Sequence, residues 1–314
     1  MTKVAANIPA HRAIRPKIVT PMNLAPPAWA LALVGQTWRD SRSISRIDGD
    51  RFTLITARVA QAVKLKPAQL ERQTFATYAS IAQELQKQPR RHAVRFWNHV
   101  PAINEPADED RDNYMVFNAG RFRAFSNLYG GSARFDRDVA TASAIGHRGN
   151  DLVIHCLAGD SIGAAVNNPR QVAPYHYSQR FGPLPPCFAR ATRLAQPSDL
   201  FLVGGTASVR GEDSFHTDDL PAQLSETFTN LAALIAAAVG KNISQQPKLK
   251  RWLSAFRELR VYYPNQNDVS AIESAILGAF PSLVRLETME ANLCRAELLV
   301  EIEGLADLNL LNTP

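Results

Sequence analysis

The order of elements along this chain constrains its fold more than any single motif. Both halves of the sequence carry the same succession: strand, strand, helix, strand, helix, strand, strand. In the first half, residues 29–35 and 51–57 read as strands. Pro67 opens a helix whose Leu70, Thr74, Tyr78, Ile81 and Leu85 keep helical spacing, proline being well tolerated at a first helical position. Residues 92–99 alternate like a strand. A second helix is expected over 108–128, with Asp108, Glu109 and Asp110 in its first turn, where the helix dipole favours acids. Strands at 141–146 and 151–158 complete the half. The second half repeats the order, with strands at 171–178 and 199–208, then a helix over 219–239 (Leu220, Leu224, Leu231, Leu234 and Ile235 on one face). A strand at 257–263, a helix over 268–279 (Val269, Ile272, Ile276) and strands at 283–289 and 297–303 follow. Two consecutive copies of one α+β unit account for this order and for the length of 314 residues. Helices covering one face of a mixed sheet would give each copy its core. The expected organisation is a Pro-rich, basic arm over 1–28, an N-terminal domain over 29–160 and a C-terminal domain over 161–314.

Composition narrows the function classes. Hydrophobic residues at 46% and charged residues at 20% exclude a disordered or fibrous chain. The net charge of +6 is scattered, without a basic stripe interleaved with aromatics, so no nucleic-acid partner is expected. The apolar run 29–35 is too short to cross a bilayer, and no membrane association is expected. Bases near the N-terminus (Lys3, His11, Arg12, Arg15, Lys17) are not followed directly by an apolar region, so no secretory signal is read. Cys156, Cys187 and Cys294 lack Cys-x-x-Cys spacing, which argues for a reducing compartment, and the chain is read as cytoplasmic. The seven histidines show neither His-Glu-x-x-His nor a Cys/His cluster, so no metal site is expected.

Three places carry residues that a plain core would not need. Arg121 falls on the stripe Tyr114, Phe117, Arg121, Ala124/Phe125, Leu128 that periodicity assigns to a buried helix face. A buried arginine needs an anion, which is either an internal carboxylate or a substrate's. In the last strand, alternation sets Leu298, Val300 and Ile302 on one face and Leu299, Glu301 and Glu303 on the other. If that second face is covered, burial and the like charge raise one carboxyl pKa and make a general acid; the alternative is an exposed outer face. The run Phe201–Ser208, with Gly204, Gly205, Ala207 and Ser208, signals close approach by a ligand or another backbone, or a bulge. Gly159-Asp-Ser-Ile-Gly163 matches the G-x-S-x-G nucleophile elbow, which would make Ser161 a nucleophile with His216 as base. Asn167-Asn168-Pro169, however, stops the long helix that an elbow requires.

Four stretches together resemble the chorismatases: Tyr114-Met-Val-Phe-Asn-Ala-Gly-Arg121; Phe188-Ala-Arg-Ala191; Val203-Gly-Gly-Thr-Ala-Ser208 with Gly211-Glu-Asp-Ser-Phe-His216; and Cys294-Arg-Ala-Glu-Leu-Leu-Val-Glu-Ile-Glu-Gly304. The resemblance runs from about residue 30 to the C-terminus. It implies two tandem YjgF/Rid-like units, the first degenerate, and the splitting of chorismate into pyruvate and a hydroxybenzoate without a cofactor. In that chemistry a carboxylic acid protonates the enolpyruvyl methylene carbon while arginines hold two carboxylates. The resemblance makes Glu301 the acid and Arg121 and Arg190 the carboxylate binders. It also places Tyr177 and Thr206 as hydrogen-bonding neighbours, and Gly205, Ala207 and Cys294 in the pocket. Cys at 294 resembles the branch that makes 3-hydroxybenzoate, whereas Ala at 207 departs from it, so a mixed product including 4-hydroxybenzoate stays open. Hydrolysis to a trans-dihydroxycyclohexadiene carboxylate stays open too, as does a YjgF/Rid-type imine deaminase or small-molecule binding protein. A monomer or a homotrimer is expected.

Overall fold

The computed structural model describes residues 16–20, 24–41, 43–88, 90–195, 199–243 and 249–312. Before the first unit come β1 (Lys17–Val19) and α1 (Ala28–Val34). That unit comprises β2 (Ser45–Asp48), β3 (Phe52–Val59), α2 (Pro67–Gln86), β4 (His92–Pro101), α3 (Asn113–Tyr129), the short α4 (Phe135–Asp138), β5 (Thr141–His147) and β6 (Leu152–Gly159). The second comprises β7 (Ala164–Val166), β8 (Ala191–Arg193), β9 (Leu200–Thr206), the ribbon β10 (Val209–Arg210) and β11 (Asp213–Ser214), α5 (Leu220–Ala238), α6 (Leu249–Leu253), β12 (Phe256–Tyr263), α7 (Val269–Ala279), β13 (Arg285–Glu290) and β14 (Glu301–Asp307).

Among the described residues the first sheet has the order β2-β3-β6-β4-β5, and the second contains β8-β9-β14-β12-β13, with β7 and β1 at its edges. The two cores match strand for strand. Each has three antiparallel pairings and one parallel pairing, β4 with β5 and β12 with β13. Even an irregularity repeats, since the register slips between Ala93 and Arg95 and again between Phe256 and Glu258. The chain is thus α+β with two tandem copies of one unit. Among the described residues no helix is long and apolar enough to cross a membrane.

Each unit buries its helices against one sheet face. Leu70, Tyr78, Ile81 and Leu85 of α2 join Phe117 and Phe125 of α3 over Ile154 and Cys156. Leu231, Leu234 and Ile235 of α5 join Ile272 and Ile276 of α7 over Val261 and Ile302. The opposite faces of the two sheets meet each other. That seam is joined where Ala189 bridges Thr141 and Thr141 Oγ1 bonds Thr192 Oγ1 at 2.7 Å.

Several expected elements differ. Residues 29–35 form α1, not a strand: Pro27 precedes it, alanines and leucines fill it, and Gly35 ends it in the left-handed conformation with φ 72°. Residues 171–178 contain the 3₁₀ turn Pro174–His176, and the strand that precedes and pairs with β9 is β8 instead. The helix α3 starts at Asn113, capped by Asp112, whose carboxylate accepts from Met115 N at 2.7 Å, so Asp108–Asp110 precede it. The final strand starts at Glu301 rather than at 297. The elbow at 159–163 leads from β6 into β7 without a helix, and Asp160 pairs with Arg51, so the Ser161 arrangement is not formed.

The described part of the arm is not peripheral. β1 pairs parallel with β13, and Leu24–Ala28 pass through the seam. Arg260 donates to the carbonyls of Ala25 and Pro26, His155 bonds that of Leu24, and Glu287 accepts from Ala28 N. α1 then wedges Trp29 against Trp97, with ring centroids 5.2 Å apart, amid Leu54, Leu157 and Leu202. Trp29→Ala removes this wedge and is expected to cost about 3–5 kcal/mol. Urea unfolding should show a midpoint well below that of the parent; an unchanged midpoint would mean that α1 is not seated in the seam.

Candidate active site

The seam opens into a cleft between the units. From the first unit it is lined by Tyr114 of α3 and Ala142, Ser143 and Ala144 of β5. From the second it is lined by Gly205, Ala207, Glu301 and the segments around Tyr177–Arg190 and Cys294–Leu298.

The floor is built by a bulge. Thr206 opposes Ile302 and Val203 opposes Gly304, so Gly204 and Gly205 together face the single residue Glu303. The extra residue turns Gly205 toward Glu301, where a Cβ would lie 1.9 Å from the carboxyl oxygen. Gly204 lies against Thr141, Ala142 and the Arg190 carbonyl, which its N–H reaches at 2.8 Å. Both readings of the glycine pair therefore hold: it is a bulge and a close approach.

Glu301 and Glu303 are both buried, on the seam-facing side of β14, while Val300 and Ile302 point into the helix-side core. Alternation fails for Leu298, which lines the cleft because the strand has not yet begun. Glu301 receives no hydrogen bond among the described residues. Burial first, and then the charge of Glu303, push its carboxyl up to about 8, against the pull of Arg95, Arg190 and Arg295. It is a protonated acid at neutral pH, facing open space.

Arginines and rings alternate away from it. Phe188 lies between Arg121 and Arg190, at 5.4 and 5.2 Å; Tyr177 lies between Arg190 and Arg295, at 5.8 and 5.6 Å; and Phe181 covers Arg295 at 4.3 Å. Arg190 donates to the Tyr177 hydroxyl, and its buried Nε has no partner among the described residues. Arg295 donates to Ser214 Oγ and the Glu212 carbonyl. Among the described residues none of these three arginines is paired with a carboxylate. Arg121 is 1% exposed and bonds Asn118 Oδ1 at 2.7 Å, but it lies behind Phe188 and does not line the cleft. Thr206 is also off the cleft, its hydroxyl donating to the Gly204 carbonyl at 3.0 Å.

Loop 291–298 is held from both units. Gly146 N–H reaches the Asn292 carbonyl at 2.7 Å and Asn104 reaches that of Leu293, while buried Gln223 bonds Glu297 O and Leu299 N. That tethering presents Cys294 to the cleft as a neutral thiol, pushed up to about 12 by burial and by Glu301. Sequence reasoning missed Arg295, Ser143 and the role of Phe188. Arg295 directly follows Cys294 in the C-terminal motif and could have been found there, but nothing local marks Ser143.

Comparison with known proteins gives the family. The N-terminal region of FkbO/Hyg5-like chorismatases matches residues 34–158. A 3-hydroxybenzoate synthase of Streptomyces hygroscopicus is 34% identical over 237 residues, 74% of this chain and 68% of the relative. The chain belongs to the chorismatase family. A second chorismatase, from Streptomyces rapamycinicus, is 30% identical over 67% of this chain and 63% of its own length. The chain thus spans about two-thirds of the length of these relatives. The crystal structure of a chorismatase superposes with a TM-score of 0.71 at 24% identity, covering 85% of this chain and 78% of that one, and shows the shared fold.

The cleft has a measurable stability signature. An unfolded glutamate gives up its proton near pH 4.5, whereas folded Glu301 holds it to about 8. Stability is therefore lost as pH rises through that window. Glu301→Gln should escape the loss and exceed the parent by on the order of a few kcal/mol near pH 8, and by less near pH 5. Urea titrations at the two pH values check this. A parent–variant difference that stays constant with pH would mean that Glu301 is ionised in the fold.

Proposed function

We propose that this protein cleaves chorismate to pyruvate and a hydroxybenzoate, with Glu301 as the acid. The observation that carries the reading is a buried, protonated carboxyl without hydrogen-bond donors, facing a cleft with two arginines that no carboxylate among the described residues neutralises. The names of two relatives, a 3-hydroxybenzoate synthase and a chorismatase, support the same reading.

The ground state offers two carboxylates, which suit Arg190 and Arg295. Arg121 contributes charge from behind Phe188, and Tyr177 orients Arg190. The Glu301 proton passes to the enolpyruvyl methylene carbon, which becomes a methyl group, and positive charge develops on the ether carbon and oxygen. The carboxylate left behind faces that charge in a site with little water, where the attraction is strong. The substrate's ring hydroxyl adds to the oxocarbenium carbon and its proton returns to Glu301. That carbon's bond to the ether oxygen and the ring's bond to the former hydroxyl oxygen then break, which releases pyruvate. The ring C–H proton passes to the oxygen left on the ring, and the ring becomes aromatic. Tight apolar walls (Phe188, Leu298, Ala144) favour an oxygen already on the substrate over bulk water, and Cys294 beside Glu301 fits that route. We therefore assign 3-hydroxybenzoate as the main product. Hydrolysis to a dihydroxycyclohexadiene carboxylate and co-release of 4-hydroxybenzoate are the outcomes that product analysis separates from it. The burial of Arg121 and Arg190 argues against a YjgF/Rid-type binding protein that has lost carboxylate recognition.

Purified protein mixed with chorismate should release pyruvate in a coupled assay and 3-hydroxybenzoate by mass analysis. Glu301→Gln should lower kcat by about 10²–10⁴. Arg295→Gln should raise KM by about tenfold or more, as expected for one lost charge-assisted contact. Undiminished turnover in Glu301→Gln would overturn the assignment of the acid.

A further inference from the structure

Glu303 stands one strand repeat from Glu301, is fully buried and does not line the cleft. No step of the reaction uses it, yet four side chains donate to its carboxylate. One oxygen accepts from Trp97 Nε1 at 2.9 Å and from the Tyr262 hydroxyl at 2.9 Å; the other accepts from Arg95 at 2.6 Å and from Ser143 Oγ at 2.5 Å. Three donors come from the first unit, on β4 and β5, and one from the second, on β12. Ser143 Oγ in turn accepts from Gly205 N–H at 2.8 Å, the amide of the bulge that Glu301 packs against.

We propose that Glu303 is the positioning residue of this site: its carboxylate, fixed across the seam, keeps a negative charge beside Glu301 and, through Ser143, pins the bulge that receives the acid. It cannot serve as the acid, because all four of its bonds are accepted ones and the cleft does not reach it. Its two effects are separable, one through charge and one through the bond chain Glu303–Ser143–Gly205. The groups that face Glu301 are few: Glu303 on its own strand; Arg95 on β4; Arg190, Arg295 and Cys294 from the flanking segments; Tyr114 on α3 and Tyr262 on β12. Among the carboxylates of these elements Glu303 is the one that opposes ionisation of Glu301, and the arginines favour it.

The proposal rests on Glu301 being the acid, but its test does not depend on turnover. Carbon-13 carboxyl NMR of glutamate-labelled protein, with Glu301→Gln to assign the resonance, reads the titration of Glu301 directly. Glu303→Gln should lower that titration by about one unit or more. It should move the basic limb of the kcat profile to lower pH by the same amount and leave KM within about twofold. Ser143→Ala keeps the charge and should lower kcat with the titration nearly in place. If Glu303→Gln fails to fold, Tyr262→Phe removes one donor from the same carboxylate and should shift the Glu301 titration upward. An unmoved titration in Glu303→Gln, or in Tyr262→Phe where that is the variant available, overturns the proposal. Absence of pyruvate from the parent enzyme would instead overturn the function while leaving this result readable.

Discussion

The Arg95–Glu303 ion pair crosses the seam between the two units with both side chains fully out of water. Burying two charges is costly unless every remaining polar valence is met, and here Trp97, Tyr262 and Ser143 meet those of the carboxylate. Breaking such a pair by removing one partner typically costs about 3–5 kcal/mol, because the other charge is left stranded. The donors arrive from three strands in two different sheets. Satisfying Glu303 therefore fixes how the sheets face each other, and with that the shape of the cleft. Trp97 transmits the constraint outward, since it bonds Glu303, stacks on Arg95 at 4.9 Å and receives Trp29 from α1.

The duplicated fold carries the buried, protonated glutamate in one unit only. The registers align Tyr262↔Glu301 with His99↔Val153, and Arg260↔Glu303 with Trp97↔His155. The first unit thus has Val153 where the second has Glu301, and it contributes one wall of the cleft and the arginine partner of Glu303. The arm follows the same division. Its described residues Leu24–Ala28 are bound by Arg260, Glu287 and His155, which lie on the two facing sheets.

Much of this was legible in the residues, for physical reasons that differ by element. Long helices such as α2 and α5 announce themselves because their apolar positions recur at helical spacing over several turns. The helix α1 does not: its seven residues are apolar throughout, and only Pro27 and Gly35 at its ends mark it as helical. The burial of Arg121 was readable from its place on the stripe. Its position behind Phe188 was not, because the aromatic that intervenes comes from 67 residues further along the chain.

The sequence by itself determined the repeated α+β unit, the paired glutamates on one strand face and the run of small residues over 204–208, since strand alternation and glycine's lack of a Cβ are local properties. Only the tertiary structure set the two glutamates physically apart. Neighbouring residues on one face are chemically alike until donors from elsewhere distinguish them. Arg95, Trp97, Ser143 and Tyr262, distant in sequence, converge on Glu303 and leave Glu301 without a hydrogen-bond donor, protonated and facing the cleft.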